Sequence, residues 1–295
     1  MPHAVSLITT LAAGFGLALI FGFIAARLGL AALVGYLVAG IAIGPATPGF
    51  VADAEIAAQL AEIGVMLLMF GVGLHFSIDD LLAVRKIALP GAVVQMIVAT
   101  VLGAGVGTLW GWPLGGALVF GLSLSVASTV VLLKALESRG IVDSANGRIA
   151  IGWLVVEDLA MVLVLLPALA PSLGGAAPHE PSRSAGLTVL ITLAQVGGFI
   201  AFMLIVGRRL FPWLLWQVTK TGSRELFTLC VVAAAVSIAY GSAALFGVSF
   251  ALGAFFAGMV LRESEFSQRA AEQTLPLQDA FAVLFFAYHA KTRCQ

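Results

Sequence analysis

Two adjacent acids, Glu157 and Asp158, lie inside the apolar run "GWLVVEDLAMVLVLLPAL" at residues 152–169. An Asp placed centrally in a bilayer costs about 2.5–3.5 kcal/mol even on a lenient insertion scale, so such an acid points to a site. Low dielectric disfavours an uncompensated carboxylate charge. A buried carboxylate therefore holds either a proton or a small cation, never both, and that exclusion is the logic of exchange. Neighbours on a helix point about 100° apart, so only one of the pair can face a site squarely. A hard cation also wants several oxygen ligands. The preceding run, "GLSLSVASTVVLL", offers Ser123, Ser125, Ser128 and Thr129 close to Gly121. A break in that helix would add carbonyl oxygens to the hydroxyls.

Blander readings compete. Hydroxyls in membrane helices often bond back to their own backbone. The acids could instead sit near the headgroups, or be paired with Lys134 or Arg148, the nearest basic residues along the chain. Glu62, in "LAEIGVMLLMFGVGLHF", reads as an interfacial or packing acid. His3, His75 and His179 have no chemical partners in the pattern, and Cys230 and Cys294 suggest neither a disulfide framework nor a metal site. No HExxH, GxSxG, P-loop or paired-aspartate protease pattern occurs, so no enzyme class is supported.

The elements that must hold these residues are membrane helices. The chain has 295 residues, 61% hydrophobic and 10% charged, against about 25% charged in soluble domains. Apolar segments fall at about 5–26, 31–45, 56–75, 87–109, 114–135, 149–169, 186–206, 225–245, 248–261 and 278–290. The first has no basic n-region or small-residue cleavage signal, so it reads as a span. With the N-terminus outside, the odd-numbered connections carry 12 of the 15 Lys and Arg, as the positive-inside rule requires. Net charge is zero, which gives nucleic acid no purchase.

An internal repeat strengthens this picture. Shifted by 218 positions, "ARLGLAALVGYLVAG" (26–40) falls on "ALFGVSFALGAFFAG" (244–258), matching Gly29 with Gly247, Gly35 with Gly253 and Gly40 with Gly258. The copies open with the first and eighth segments, so they run in opposite directions, as in secondary transporters whose site lies between the halves. The first repeat covers about 5–170, a Pro/Gly/Ser linker about 171–185, and an incomplete second repeat about 225–290, within a membrane domain of 1–290. Residues 287–295 form an atypical polar tail.

The stretches "LVGYLVAGIAIGP", "LAEIGVMLLMFGVGLHF", "SVASTVVLLKALESRG", "GRIAIGWLVVEDLAMV" and "VSFALGAFFAGMVLRESEF" resemble a Kef-type member of the monovalent cation:proton antiporter-2 family, in the sodium/hydrogen exchanger superfamily. The resemblance covers residues 5 to about 286. It implies an all-α polytopic membrane protein of the inverted-repeat antiporter fold, with about nine to ten of thirteen expected helices in this chain. It implies exchange of K+ or Na+ for H+ in a bacterial inner membrane, and a homodimer held by a scaffold against which a core domain moves. Asp158 takes the place of the family's ion-binding carboxylate, with Glu157, Ser125, Ser128 and Thr129 around it. The "SVAST" stretch takes the place of one of two crossing broken helices.

Departures from the family pattern set further expectations. The tenth segment turns to "AYHAKTRCQ" where a Gly-containing apolar run is expected, the partner crossing helix is missing, and so is the nucleotide-binding regulatory domain of Kef-type relatives. The chain is thus expected to be C-terminally truncated, with no cofactor of its own, and its end not to cross the membrane. Glu157 stands where relatives carry Gln or Asp, which leaves the ion and stoichiometry open. The alternatives are a transport-inactive membrane scaffold and a sodium-coupled solute carrier.

Overall fold

A computed structural model describes residues 3–44, 54–142, 144–161 and 185–292. The proposed linker, His179, Arg183, Cys294 and the second half of the 149–169 segment lie outside them. Every regular element described is helical. Five of the helices are long and apolar enough to cross a membrane, so the chain is an all-α, multi-pass membrane protein. In such a medium a helix satisfies its own backbone, which is why apolar runs become helices here almost without exception.

The first three helices are α1 (His3–Arg27), α2 (Ala32–Ala42) and α3 (Ala54–His75). The α1–α2 turn is made by Gly29, at φ 75°, a conformation that residues with a Cβ avoid. Then come α4 (Ile78–Leu109), α5 (Leu114–Ser125), α6 (Thr129–Ser138) and α7 (Ala145–Ala160). The expected 114–135 span is thus two helices, interrupted at 126–128.

Helix α4 starts nine residues before its apolar run because Ser77 and Asp80 form a reciprocal capping box around its first turn. The polar stretch "IDDLLAVRK" therefore joins the helix. Trp110, Trp112 and Phe120 cluster edge-on at the α4–α5 turn, as aromatic side chains do at membrane interfaces.

Helix α8 (Ala185–Phe202) runs through a π-helical turn, Met203–Gly207, into α9 (Arg208–Thr219). It overruns the expected 186–206 span because the extension is amphipathic and keeps Trp213 and Trp216 at the surface. The last three helices are α10 (Arg224–Phe246), α11 (Phe250–Arg262) and α12 (Ser267–Thr292). Helix α12 also exceeds its expectation of 278–290. Its backbone stays helical to Thr292, and Tyr288 is buried and donates a 2.6 Å hydrogen bond to the Thr10 carbonyl of α1.

The larger core is built on α3, from Met66 to Phe76, against α10, α11 and α12. Its closest approaches are made by glycines. A Cβ on Gly40 of α2 would collide with the backbone of Ala287 in α12, and one on Gly258 of α11 with the backbone of Phe70 in α3. Gly35 meets α1 at the backbone of Phe21, and Gly253 meets α10 at the Ser242 side chain and then at the backbone of Ala239. Gly29 turns α1 into α2, and Gly247, at φ 64°, turns α10 into α11. Each of these pairs is separated by the same 218 positions, save the α12 and α3 partners, which differ by one.

A second group forms around α4. Gly103 of α4 and Gly121 of α5 let these helices touch, with 2.6 Å between a Cβ on Gly103 and the Gly121 Cα. Helix α7 lies on the other face, where Trp153 covers Gly91 and Gly152 sits against Val84 and Ala88. Arg148 of α7 pairs with Asp80 of α4 at 3.0 Å, so it is not the partner of the intramembrane acids.

Candidate ion site

The interruption between α5 and α6 is written by two serines. Ser125 turns its hydroxyl back onto the Leu122 carbonyl at 2.7 Å, which closes α5. Ser128 then caps α6 by accepting the Val131 N–H at 3.5 Å. Val126 and Ser128 are extended, at φ −97°, ψ 117° and φ −75°, ψ 107°. An extended segment inside an apolar run releases backbone groups that need partners outside the helix.

Side chains from the flanking helices take up two of them. Glu157 of α7, 1% exposed, accepts the Ala127 N–H at 3.0 Å. Gln95 of α4 donates from Nε2 to the Ser125 carbonyl at 2.8 Å. One bond holds each end of the break.

Asp158 points elsewhere. Its carboxylate receives the Thr129 hydroxyl, at 3.3 Å to Oδ2 and 3.5 Å to Oδ1. Among the described residues the rest of its surroundings are apolar: Met69 and Val72 from α3, Leu133 from α6, and Leu252 and Phe255 from α11. The space left there is about 10 Å³, enough for about one water or a bare ion of similar size. Glu157 lines a different cavity of about 420 Å³, with Gln95, Ala127, Asn146 and Trp153. The adjacent acids thus face two separate spaces, as their helical offset requires.

Of the five residues singled out in the sequence, Thr129 and Asp158 come together directly, and the Glu157 carboxylate reaches the same break at the Ala127 N–H. The hydroxyls of Ser125 and Ser128 serve the helix ends instead. Ser123 bonds back to Val119 at 2.9 Å on the exposed side of α5. Glu62 is exposed on α3, outside the walls of the Asp158 space. His75 bonds the Gly71 carbonyl at the end of α3. No group of three or more His, Cys, Asp or Glu among the described residues could hold a metal ion. Gln95 was not singled out, although a lone amide inside the apolar run "PGAVVQMIVATVLGAGV" is the signal that finds it.

These features define a class: a helical membrane protein that carries an acid pair beside an interrupted helix. The profile of the "Sodium/hydrogen exchanger, transmembrane" family matches residues 15–290, and the chain belongs to that family. It is 58% identical over 288 residues to the "Putative cation/proton antiporter YbaL" of Escherichia coli (strain K12), covering 97% of this chain and 51% of that one. It is 65% identical to an uncharacterized protein from the phaC 3' region of Methylorubrum extorquens, covering 90% of this chain and 100% of the other. It is also 33% identical to K(+) efflux antiporter 4 of Arabidopsis thaliana, over 84% of this chain and 41% of that one. The chain thus spans about half the length, or less, of the relatives named as antiporters.

Proposed function

We propose that the protein exchanges a monovalent cation for a proton across a bacterial inner membrane, with Asp158 as the carrier group. The observation that carries this reading is the division of labour between the acids. Glu157 is committed to a backbone N–H, whereas among the described residues Asp158 has one hydroxyl donor and otherwise apolar walls. A carboxylate so placed is costly as a bare charge and holds one neutralising partner at a time. An arriving cation takes the carboxylate oxygens and the proton leaves; from the other side a proton returns and the cation leaves. Thr129 supplies one further oxygen to the cation. Both acids also sit on α7 beside the interrupted helix, so the oxygens of the break are within the same layer of the membrane.

The plan of the fold supports the same reading. We take α1–α3 and α10–α12 as equivalent parts of two inverted repeats, about 5–170 and from about 225 onward. The glycine pairs at a spacing of 218 make matching contacts in each part. Asp158 faces α3 and α11, one element from each part, which is where a rocking transporter keeps its site. The N-terminus is assigned outside by the cationic connections. The plant relative's name, K(+) efflux antiporter 4, favours K+ over Na+ as the cation, and the scaffold helices α1–α3 and α10–α12 are assigned to a homodimer in the lipid bilayer.

The test is cation-driven proton movement in vesicles containing the purified protein, with a pH dye inside. Saturable exchange on addition of K+ or Na+ is expected. A protein that is folded, correctly inserted and silent to both ions would refute the reading and favour a scaffold.

A further inference from the structure

We infer that Gln95 is a positioning residue of the ion site, acting through the backbone of the interrupted helix. The inference rests on the antiporter reading for its transport consequences, but its structural core stands on geometry alone. Ser125 O is the last carbonyl of α5 and has no helical partner. A carbonyl only accepts, so the amide NH2 of Gln95 must face it, and the 2.8 Å contact fixes the side chain's orientation. Gln95 Oε1 is then left buried, with no partner among the described residues. Leaving a buried amide oxygen unsatisfied is unfavourable. An apolar residue of the same size would avoid that cost, so the donor is the feature with value at this position.

What the donor holds is the direction of the break. Ser125 is fixed by Gln95 from α4 at one end, and Ala127 by Glu157 from α7 at the other. Two residues beyond, Thr129 points its hydroxyl at Asp158. Of the extended segment, Ser128 bonds into α6 through the Leu132 and Val131 N–H groups, and the two anchors fix the residues that lead into it. They thereby set the distance from Thr129 to the carboxylate. Gln95 and Glu157 line one cavity, with Asn146 and Trp153 as its uncharged polar members. Glu157 is the titratable group facing Gln95 there among the described residues, and Arg148, the nearest basic residue on α7, is held by Asp80.

Three variants separate positioning from mere packing. Gln95→Met keeps the length and removes the donor. Gln95→Glu has a donor only while protonated. Asp158→Asn reports whether exchange runs through the proposed carrier. The first measurement is amide hydrogen exchange over residues 126–129 in the purified protein. Loss of one bond to the break is expected to speed exchange about fivefold or more in Gln95→Met, with the amides of α10 unchanged. The second is vesicle exchange across pH. Gln95→Met should raise the KM for the cation several-fold at every pH with kcat nearly kept. Gln95→Glu should match the parent at the acid end and fail as pH rises. Unchanged amide exchange in Gln95→Met would overturn the inference whatever the transport result. So would identical pH profiles for the Met and Glu variants. If the parent and Asp158→Asn are equally silent in transport, the antiporter reading fails and the amide measurement alone decides the role of Gln95.

Discussion

Glu157 is the residue whose replacement separates hydrogen bonding from charge. Its carboxylate accepts the Ala127 N–H at 3.0 Å and is 1% exposed. Glu157→Gln keeps an acceptor oxygen at the same reach. The bond passes from charge-assisted, about 1.5–3 kcal/mol, to neutral, about 0.5–1.5 kcal/mol, so the net loss is about 1 kcal/mol. Glu157→Leu removes the acceptor and leaves the Ala127 N–H without it, which costs about 1–3 kcal/mol where no water replaces the bond. About 1.4 kcal/mol corresponds to a factor of ten in an equilibrium. The Gln variant is therefore expected to keep exchange within about tenfold of the parent, and the Leu variant to lose considerably more. The assay is the initial rate of cation-driven proton movement in vesicles, normalised to inserted protein, with thermal unfolding in detergent alongside. If Gln is as inactive as Leu while melting like the parent, the charge of Glu157 is what transport needs. The roles of the two acids would then be reversed.

Thr129→Val should raise the KM for the cation up to about fivefold, since the 3.3 Å contact to Asp158 is long and such bonds contribute about 1 kcal/mol; Thr129→Ser should restore it, and equal KM values for Val and Ser would remove Thr129 from the site. Gly40→Leu and Gly258→Leu should both abolish the monodisperse folded species on size-exclusion chromatography, because each side chain would enter a neighbouring helix backbone. Gly16→Leu, with nothing within 4 Å of its Cβ, is the tolerated control, and tolerance at Gly40 or Gly258 would contradict the packing. Arg148→Ala removes an ion pair that is 44% exposed on the arginine side, so it should change stability by less than about 1 kcal/mol and leave exchange intact. Loss of exchange there would tie that end of α7 to the site.

Much of this architecture is legible along the chain because the bilayer leaves few options. Runs such as 225–245 are helical for want of any other way to satisfy their backbone, and α10 ends within a residue of expectation. The turn glycines Gly29 and Gly247 announce themselves by falling 218 positions apart in similar stretches, and both have positive φ. Polar extensions are less legible: α4 gains its first two turns from the Ser77–Asp80 cap, and α9 continues past a π-helical turn, neither of which an apolar count can see. At the site, the offset of Glu157 from Asp158 follows from helix geometry. Which acid meets the break does not, because that depends on how α7 is rotated against α4, where Trp153 settles over Gly91. The serines find their partners locally. A hydroxyl near a helix end finds its own backbone first, so Ser125 and Ser128 shape the break without presenting their oxygens to Asp158. Gln95 escapes notice because one amide in a long apolar run has no partner in sequence; its partner is 30 residues away on the far side of a turn.

The central claim is that Asp158 alternates between a proton and a cation. Asp158→Asn keeps the size and the Thr129 contact but cannot titrate, so it removes the exchange step and little else. The direct measurement is counterflow of K+ or Na+ against protons in vesicles holding equal amounts of inserted parent and Asp158→Asn protein, scanned from acid to alkaline pH. The parent should show saturable exchange, and Asp158→Asn none at any pH. Exchange retained by Asp158→Asn would contradict the account, and its loss in Glu157→Gln instead would assign the carrier role to the neighbouring acid.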